Sequence, residues 1–395
     1  MLYRFCRIVA VALTLLLVLA SGVSAAERSA LFRDWSPYAI MRDENSLYLR
    51  WKTAEPSQDT LTLFEDGAMR ELGIFSEEAP MRFHSVLLEN LLPGAALRYR
   101  IGGTKNAGMK GRLRVPRQGI ESTFLVMSDT QALSILGTLN MELSKQKMLI
   151  EAMAGDTLPV DFLVHTGDLV ESGAIPEYND FFQMISPLTG KMPLFAIKGN
   201  HDDRTDVFID AFSFLLMGKL YGTDWHHFST KNALFVFLNL NFNSVQQVSQ
   251  TVKWLDAVLE AFRDRKWKFV FTHQPIYSSV ERDSNTPFRK LFEPLFMKYG
   301  IDVVFSGHHH AYQRILRNGI VYVVSGGGGG RGYSELMNPR VEGTAKTAER
   351  TIHYLRGQIK GDKFVFEAKR VGLENKVEHV DRSEGEMDRF ELSKP

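Results

Sequence analysis

After Ile120 the chain repeats one pattern five times, in which a short apolar segment of strand length stops at a polar cluster. The five segments read STFLVMSD, DFLVHTGD, MPLFAIKGN, WKFVFTH and DVVFSGH. Between them, apolar residues recur every three or four positions, as in amphipathic helices. The helical stretches read LSKQKMLIEAMAG, VFIDAFSFLLMG, VSQTVKWLDAVLEAFRD and PFRKLFEPLFMKYG. Alternating strands and helices predict an α/β fold with helices on the faces of a sheet.

Each strand end carries side chains that bind metal ions or transfer protons. Because such sheets bind ligands outside the carboxyl ends of their strands, we expect these side chains on one rim of the sheet. Taken singly, each has a structural alternative as a loop cap, a turn residue or a core histidine. Five such coincidences on one edge favour a functional site instead. The residues are Asp129, Asp168, Asn200 with His201, His273, and His308 with His310.

The stretch FSGHHHAYQR contains three consecutive histidines after a segment that ends at Gly307. If the chain stays extended there, His308 and His310 share one face and His309 points away. Carboxylates, a carboxamide and imidazoles together suit Mn²⁺, Fe or Zn²⁺, and no thiolate is available for a structural zinc site. Two carboxylates with several neutral ligands suit two ions about 3.5–4 Å apart, with one carboxylate bridging them.

Residues 1–26 have the features of a secretory signal peptide. Arg4 and Arg7 precede the apolar run IVAVALTLLLVLA, and SGVSAA supplies the small residues of a cleavage site near Ala26. The alternative is an uncleaved anchor, although the apolar run is shorter than the roughly 20 residues that span a bilayer. Since Cys6 is the only cysteine, the mature chain would carry no thiol, which fits an exported protein of the periplasm or the exterior.

The charge balance gives no sign of an acidic partner. The chain has 47 Lys and Arg residues against 46 Asp and Glu residues, so nothing indicates nucleic acid or an anionic membrane. We expect no stable membrane anchor after signal cleavage, and the oligomeric state stays open. At 395 residues with 44% hydrophobic composition, the chain is long enough for two globular domains.

Residues 35–115 show only strand patterns. SLYLRWKT, TLTLFED, RFHSVLLENL and ALRYRIGG alternate polar and apolar residues and are separated by turn formers, which predicts a small β-sandwich. GGTKNAGMKGRLRVPRQG is interpreted as a hairpin tip plus linker. Near the other end, TIHYLRGQIKGDKFVFEAKRV predicts a closing hairpin around KGDK, and the polar residues 382–395 are expected on the surface.

The motifs SDTQ, GDLVESG, GNHD, FTHQPIYSS and GHHHAYQR, in this order, resemble those of the calcineurin-like metallophosphoesterase superfamily over residues 121–326. RFHSVLLENLLPGAALRYRI resembles the N-terminal fibronectin-like domain of purple acid phosphatases. The resemblance implies a four-layer αββα domain preceded by a small all-β, fibronectin type III-like sandwich. The predicted divisions are a signal peptide at 1–26, the sandwich at 30–117, the metallophosphoesterase domain at 120–372 and a tail at 373–395.

The resemblance also implies a role for each residue. Asp129 and His310 would hold the first ion, Asp168 would bridge, and Asn200, His273 and His308 would hold the second. His201 would contact phosphate and protonate the leaving group; its alternative is a hydrogen bond to Asp202 or to a ligand. Supporting positions around the ligands are assigned to Gln131, Glu171, Asp202 and His309.

Two positions depart from the superfamily pattern. Gln131 stands where many members have the histidine of D-x-H, so the first ion would need water to complete its ligands. Glu171 stands where purple acid phosphatases have the tyrosine that binds Fe(III). The glycine-rich SGGGGGRG lacks the GK[ST] ending of a phosphate-binding loop and is interpreted as a flexible loop near the site.

These features predict an exported dinuclear enzyme that hydrolyses small-molecule phosphate monoesters by attack of a metal-bound hydroxide. A phosphodiesterase or nucleotidase on the same site is the first alternative. A non-catalytic binding protein on a hydrolase scaffold is the second, and the presence of both aspartates, Asn200 and the three matched histidines argues against it.

Overall fold

The computed structural model describes residues 34–103, 108–131, 139–216, 219–221, 225–242, 244–280, 286–374 and 380–395. The predicted signal peptide lies outside these residues. Within the described ranges, no helix is both long enough and apolar enough to cross a membrane.

The first part of the chain forms seven strands in two antiparallel sheets. These are β1 (Trp35–Asp43), β2 (Ser46–Ser57), β3 (Asp59–Glu65), β4 (Glu71–Ser76), β5 (Met81–Leu88), β6 (Ala96–Gly103) and β7 (Met109–Arg114). One sheet has the order β1-β2-β5 and the other β4-β3-β6-β7. Leu49 and Trp51 of β2 share a core cluster with Leu61 and Leu63 of β3, as the period of two requires. The predicted all-β architecture is confirmed.

The predicted hairpin tip plus linker contains a strand that the sequence does not indicate. Residues Met109–Arg114 pair with β6 along its length. Leu113 is buried, whereas Lys110 and Arg112 on the other face are exposed. With so few apolar residues, β7 has too weak an alternation to be recognised from sequence alone.

The second part of the chain carries fifteen described strands. These are β8 (Glu121–Met127), β9 (Phe162–His165), β10 (Leu194–Ala196), β11 (Phe214–Leu216), β12 (Lys219–Tyr221), β13 (Trp225–Ser229), β14 (Ala233–Leu238), β15 (Trp267–Thr272), β16 (Val303–Ser306), β17 (Ala311–Arg317), β18 (Ile320–Ser325), β19 (Thr344–Glu349), β20 (Thr351–Lys360), β21 (Lys363–Glu374) and β22 (Val380–Ser393). A six-stranded sheet has the order β10-β9-β8-β20-β21-β22, and a seven-stranded sheet has the order β13-β14-β15-β16-β18-β17-β19.

Phenylalanine rings fill the space between these two sheets. The ring of Phe124 on β8 lies 5.5 Å from that of Phe235 on β14 and 5.6 Å from that of Phe269 on β15, measured between centroids. Such edge-to-face pairs add to the free energy gained from burying apolar area. Facing sheets with this core form the two inner layers of the domain.

Helices cover the outer face of each sheet. They are α1 (Leu139–Ala154), α2 (Ile175–Thr189), α3 (Val207–Phe212), α4 (Val245–Ala261) and α5 (Thr286–Tyr299). Leu149 of α1 and Phe182 of α2 belong to the core cluster of the six-stranded sheet, whereas Leu255 of α4 and Phe292 of α5 belong to that of the seven-stranded sheet. The predicted four-layer αββα arrangement is confirmed.

The helix predicted from VFIDAFSFLLMG is shorter than expected. It ends at Phe212, because Ser213 adopts an extended conformation and the chain continues as β11. Helix α2 is not among the four helical stretches named above; Pro176 lies in its first turn, as is common at helix starts, and its buried apolar face includes Phe181 and Phe182.

Strand β1 joins the β-sandwich to the larger domain. Trp35 stacks on Phe182 of α2 with ring centroids 4.4 Å apart, and its indole N–H donates to Asn179 at 2.6 Å. Tyr38 also stacks on Phe182 at 4.4 Å and donates its hydroxyl to the Ala211 carbonyl oxygen at 2.7 Å. The two domains therefore share an apolar cluster through the first described strand.

The C-terminal segment corrects one predicted boundary. The hairpin around KGDK is present as β20 and β21, but β21 continues to Glu374 and β22 pairs along it. Most of the predicted tail at 373–395 is therefore an edge strand of the six-stranded sheet. Its charged residues suit the exposed side of an edge strand, while Met387 and Phe390 pack against the core.

We expect Asp388 to anchor β22. Its carboxylate is buried and accepts hydrogen bonds from Tyr312 at 2.7 Å and from Arg314 Nε at 2.6 Å. Because Asp388→Ala leaves a half-buried guanidinium without its partner, it should lower the free energy of unfolding in urea by about 3 kcal/mol. The control Glu391→Gln removes an exposed pair with Lys363 and should change it by less than about 1 kcal/mol. Equal, small changes in both variants would contradict this anchor.

Candidate metal centre

The five predicted strand ends belong to two facing sheets, so the expectation of a single sheet rim is wrong. β8, β9 and β10 are neighbours in the six-stranded sheet, whereas β15 and β16 are neighbours in the seven-stranded sheet. A backbone-to-side-chain hydrogen bond joins the two sets of loops. The His308 N–H donates to both carboxylate oxygens of Asp129 at 3.0 Å. The polar clusters therefore meet between the sheets, at one end of the sandwich.

Three of the predicted ligands have left-handed backbones. The φ angles are 57° at Asp129, 54° at Asp168 and 67° at His308. Such values are uncommon outside glycine, and Asp and His tolerate them better than most residues do. Each turn redirects the chain immediately after a strand, which points the side chain towards the gap between the sheets rather than along the strand.

One group of donors surrounds Asp168. Single donor atoms of Asp168, His273 and His308 all lie within 4.8 Å of one another, which makes these residues a candidate metal site. His273 Nε2 is 3.3 Å from Asp168 Oδ2 and 3.0 Å from Asn200 Oδ1. The four side chains predicted for the bridge and the second ion are therefore brought together.

A second group adjoins the first. His310 Nε2 lies 3.5 Å from Asp129 Oδ1 and 3.1 Å from Gln131 Nε2. Gln131 Nε2 also approaches Asp168 Oδ2 at 3.5 Å, so Asp168 faces both groups. This placement is what a bridging carboxylate requires.

Backbone carbonyls orient two of the histidines. Nδ1 of His273 lies 2.9 Å from the Thr166 carbonyl oxygen, and Nδ1 of His310 lies 3.1 Å from that of Gly332. Because a carbonyl oxygen only accepts, Nδ1 carries a proton in each ring and Nε2 faces the carboxylates. Metal-binding histidines are oriented in the same way. The sequence gives no sign of either carbonyl partner.

Carboxylates and histidines compensate each other's charge. Burial alone would raise the pKa of Asp129 and Asp168, but His310 and His273 hold each pKa below its ordinary value. Burial would lower the pKa of His273, yet the charge of Asp168 raises it to about 9, and Asp129 likewise raises the pKa of His310. A cation bound here would replace these protons, so binding should release protons and weaken at low pH.

His201 lies at the edge of the first group. Its backbone N–H donates to Asp168 Oδ1 at 2.9 Å, and its ring Nδ1 lies 2.7 Å from the Glu171 carbonyl oxygen. Nε2 faces Asp168 Oδ2 at 4.0 Å. The Glu171 carboxylate lies 3.4 Å from His201 Nδ1, so its contact in this structure is with His201. A ring held by Nδ1 with Nε2 directed at the site suits a proton donor.

Asp202 holds the loops that carry these residues. Its buried carboxylate accepts from the N–H groups of Leu169 at 3.1 Å and of Gly199 at 2.9 Å, and from the Tyr178 hydroxyl at 3.3 Å. Burial, together with the charge of Asp168, raises the pKa of Asp202 to about 7. Of the alternative for His201, a hydrogen bond to Asp202 or to a ligand, the structure shows the second: its backbone N–H donates to Asp168, while its ring bonds the Glu171 carbonyl oxygen.

His309 points away from the ligands, as predicted, but for a different reason. The chain bends at residues 308–310 rather than staying extended. The ring of His309 is buried, and its Nδ1 lies 2.7 Å from Ser278 Oγ. Burial lowers the pKa of His309 to about 3, so the ring is neutral and serves packing.

The glycine run is packed and not the flexible loop that the sequence suggests. Gly326–Gly330 is buried throughout. A Cβ atom on Gly328 would lie 1.9 Å from the Ser128 carbonyl oxygen, and one on Gly330 would lie 2.6 Å from the Asp129 carbonyl oxygen. The glycines are therefore needed because the loop touches the turn that carries Asp129.

The donor set fits divalent cations. It combines two carboxylates and one carboxamide oxygen with three imidazoles, all of which Mn²⁺, Fe and Zn²⁺ accept. The oriented Nε2 atoms of His273 and His310 already face the carboxylates, so the side chains need little rearrangement to hold ions.

Comparison with known proteins identifies the same part of the chain. Residues 122–312 match the family model described as Calcineurin-like phosphoesterase. Acid phosphatase type 7 of Homo sapiens is 24% identical over 311 residues, which cover 71% of this chain and 66% of that protein. Purple acid phosphatase 22 of Arabidopsis thaliana is 26% identical over 276 residues, which cover 63% and 59%. The chain thus spans less than two thirds of the length of these relatives.

Solved structures share the fold over most of this chain. The purple acid phosphatase PPD1 from yellow lupin seeds superposes with a TM-score of 0.68 at 13% identity, covering 91% of this chain and 74% of that one. The structure of PhoD gives a TM-score of 0.67 at 11% identity, covering 92% and 90%. At such identities the agreement concerns the fold: β-sheets first, then the layered α/β domain.

Proposed function

This chain belongs to the calcineurin-like metallophosphoesterases, with purple acid phosphatase-like relatives at 24–26% identity, and on that premise we propose that it hydrolyses phosphate monoesters with two bound metal ions. The convergence of Asp168, His273 and His308 carries the proposal, because ligand atoms from three separate loops lie within 4.8 Å of one another. Mn²⁺, Fe and Zn²⁺ all suit these donors.

Each residue has a place in this proposal. Asp129 and His310 would hold the first ion, Asn200, His273 and His308 would hold the second, and Asp168 would contact both. Ions held by these residues would supply an acidified water molecule and positive charge for the phosphate oxygens. The surrounding residues hold these ligand side chains in place and exclude solvent, since Asp129, Asp168 and His273 are each at most 1% exposed.

His201 acts on the leaving group in this proposal. Its Nδ1–H is held by the Glu171 carbonyl, which leaves Nε2 on the side of Asp168. In the protonated ring Nε2–H can be given to the departing alkoxide as the ester bond breaks. The side chain is 22% exposed, so the ring can regain a proton from solvent after each turnover.

Metal analysis and substrate comparison test the proposal together. Protein purified without chelator should carry metal, and after loading with Mn²⁺, Fe or Zn²⁺ it should hydrolyse monoesters faster than diesters. Faster diester hydrolysis would favour a phosphodiesterase or nucleotidase. Protein that stays inactive on every ester after reconstitution would favour a binding protein and would overturn the proposal.

Export is proposed from residues 1–26 alone. Arg4 and Arg7, the apolar run and SGVSAA support cleavage near Ala26. Mass spectrometry of protein from the producing cells should give a chain lacking these residues, in the periplasm or the medium. A full-length chain in the membrane fraction would indicate an uncleaved anchor.

We expect Asp168→Asn and His308→Ala to differ in metal content. Asp168→Asn removes the negative charge that faces both groups of donors, so both ions should be lost. His308→Ala removes one neutral ligand and should chiefly weaken the second ion. Elemental analysis after equilibrium dialysis measures both variants. Two tightly held ions in the Asp168 variant would contradict the bridging role.

We expect His201→Ala to act through the leaving group. If Nε2 protonates the departing oxygen, the loss of kcat should reach about 10²- to 10⁴-fold on alkyl phosphates. It should be smaller on aryl phosphates with acidic leaving groups, which need no proton. Metal content, measured in parallel, should barely change. An equal loss on both classes would assign His201 to positioning instead.

The metal-loaded enzyme should be colourless. The purple colour of purple acid phosphatases comes from a tyrosine bound to Fe(III), and this chain has Glu171 at that position. Tyr178, the next tyrosine along the chain, donates to Asp202. Because a carboxylate has no such charge-transfer band, the visible spectrum after Fe loading in air should lack it. A strong band that disappears on reduction would contradict this expectation.

A further inference from the structure

Gln131 lies beside the two side chains proposed to hold the first ion. It follows β8 in the motif SDTQ, and its side chain is 3% exposed. Its Nε2 is 3.1 Å from His310 Nε2 and 3.5 Å from Asp168 Oδ2. The terminal amide therefore faces the donor cluster directly.

The oxygen atom of the same amide lacks a described hydrogen-bond donor. Gln131 Oε1 is buried and accepts no hydrogen bond from the described part of the chain. It lies against the glycine loop, where a Cβ atom on Gly330 would be only 2.6 Å away. A buried acceptor without a donor costs about 1–3 kcal/mol. This orientation of the amide thus has a cost that the described neighbouring residues do not remove.

The histidine beside it shows when this orientation is suitable. Because His310 Nδ1 lies 3.1 Å from the Gly332 carbonyl oxygen, Nδ1 carries a proton, and Nε2 faces Gln131 Nε2 at 3.1 Å. The Gln131 N–H can donate to Nε2 only while neither a proton nor a cation occupies it. Once Nε2 binds a cation, the amide N–H would point at positive charge and Oε1 would remain buried without a partner.

A half-turn of the amide turns its oxygen towards the cation without changing its shape. Oxygen and nitrogen exchange places, since the two ends of a carboxamide are nearly equal in size. The oxygen then faces the cation, and the N–H₂ group faces the glycine loop, where a Cβ atom on Gly330 would lie 2.6 Å from the Asp129 carbonyl oxygen. The same residue would therefore be a hydrogen-bond donor before loading and a ligand after it.

We infer that Gln131 is a protein ligand of the first ion through Oε1, at the position where many superfamily members carry histidine. This inference rests on the proposed two-ion function. The first ion would then be bound by oxygen atoms of Asp129, Asp168 and Gln131 and by one imidazole, that of His310. An oxygen-rich set of this kind favours harder ions such as Mn²⁺ over Zn²⁺, relative to a site with two imidazoles.

Calorimetry and electron paramagnetic resonance with Mn²⁺ test the inference without measuring activity. Wild-type protein should bind two Mn²⁺ ions and give the spectrum of a coupled pair. Gln131→Ala should weaken one of the two sites by about tenfold or more and reduce the coupled signal. Gln131→His should raise the Zn²⁺ to Mn²⁺ affinity ratio of that site by about tenfold.

Gln131→Glu separates a ligand from a positioning residue. A carboxylate cannot donate a hydrogen bond to His310 but can bind an ion through oxygen. If Gln131 is a ligand, the Glu variant should keep Mn²⁺ affinity at or above the wild-type value. If Gln131 only orients His310, the Glu variant should lose affinity as the Ala variant does, which would overturn the inference.

Gln118→Ala is the matched control. Its Oε1 is also buried without a donor in the described part of the chain, but its amide donates to the Glu44 carbonyl oxygen at 3.1 Å in the β-sandwich. Mn²⁺ binding should be unchanged in this variant. If the wild type binds two Mn²⁺ ions and Gln131→Ala binds them equally well, the inference about Gln131 is refuted, whereas the two-ion proposal stands. Fewer than two ions in the wild type would refute the two-ion proposal, and this inference with it.

Discussion

The site depends on backbone segments that come closer than side chains would allow. A Cβ atom on Gly199 would lie 2.1 Å from both the backbone nitrogen and Oδ1 of Asp168. One on Gly307 would lie 1.9 Å from Ser128 Oγ and 2.5 Å from Asp129 Oδ2. These contacts join loops from different strands, and Gly307 also joins the two sheets. The aspartates are therefore fixed by the shape of the backbone around them, before any cation contributes.

Fixed carboxylates in a buried place need compensating charge. Isolated ions in the interior of a protein are strongly unfavourable, so a buried carboxylate needs a proton, a cation or hydrogen bonds. Here Asp129 and Asp168 meet the backbone N–H groups of His308 and His201 and the rings of His310 and His273. The raised pKa values of His273 and His310 favour protonated rings that balance the charge of the aspartates, and in the proposed function cations would replace those protons. Asp202 provides a third buried carboxylate, whose role is to hold loops through backbone N–H groups.

Much of this could be predicted from the sequence, for a physical reason. Strand-length apolar segments that stop at Asp, Asn or His place those residues at strand ends, and connected strands end at the same edge of a layered fold. The predicted ligands accordingly meet in two adjoining groups. What the pattern cannot show is which strands pair: β20, from the far end of the chain, pairs with β8, and the five segments divide between two sheets.

The local backbone conformation at the site could not be predicted from the sequence either. A left-handed φ at Asp129, Asp168 and His308 arises from tertiary contacts and has no marker in apolar periodicity. The prediction that His308 and His310 share a face was reached from an extended strand, whereas a bend produces that result. The glycine run was interpreted as flexible because glycine is permissive; in the folded chain the same lack of a side chain permits burial against Asp129. A run of glycines that directly follows a buried strand such as β18 can therefore indicate close packing.

The two departures from the superfamily pattern concern the same ion. In purple acid phosphatases the tyrosine supplies an oxygen donor from the turn after the second strand. Here Glu171 occupies that turn and lies 3.4 Å from His201 Nδ1, on the side of the proposed proton donor. Gln131, on the turn after β8, instead faces His310 and Asp168, the residues proposed for the first ion. If Gln131 binds the first ion as inferred above, the number of protein oxygen atoms around that ion is the same as with the tyrosine, and a neutral amide replaces an anionic phenolate. The net charge around the first ion would then be less negative, and we expect it to suit a divalent ion better than Fe(III).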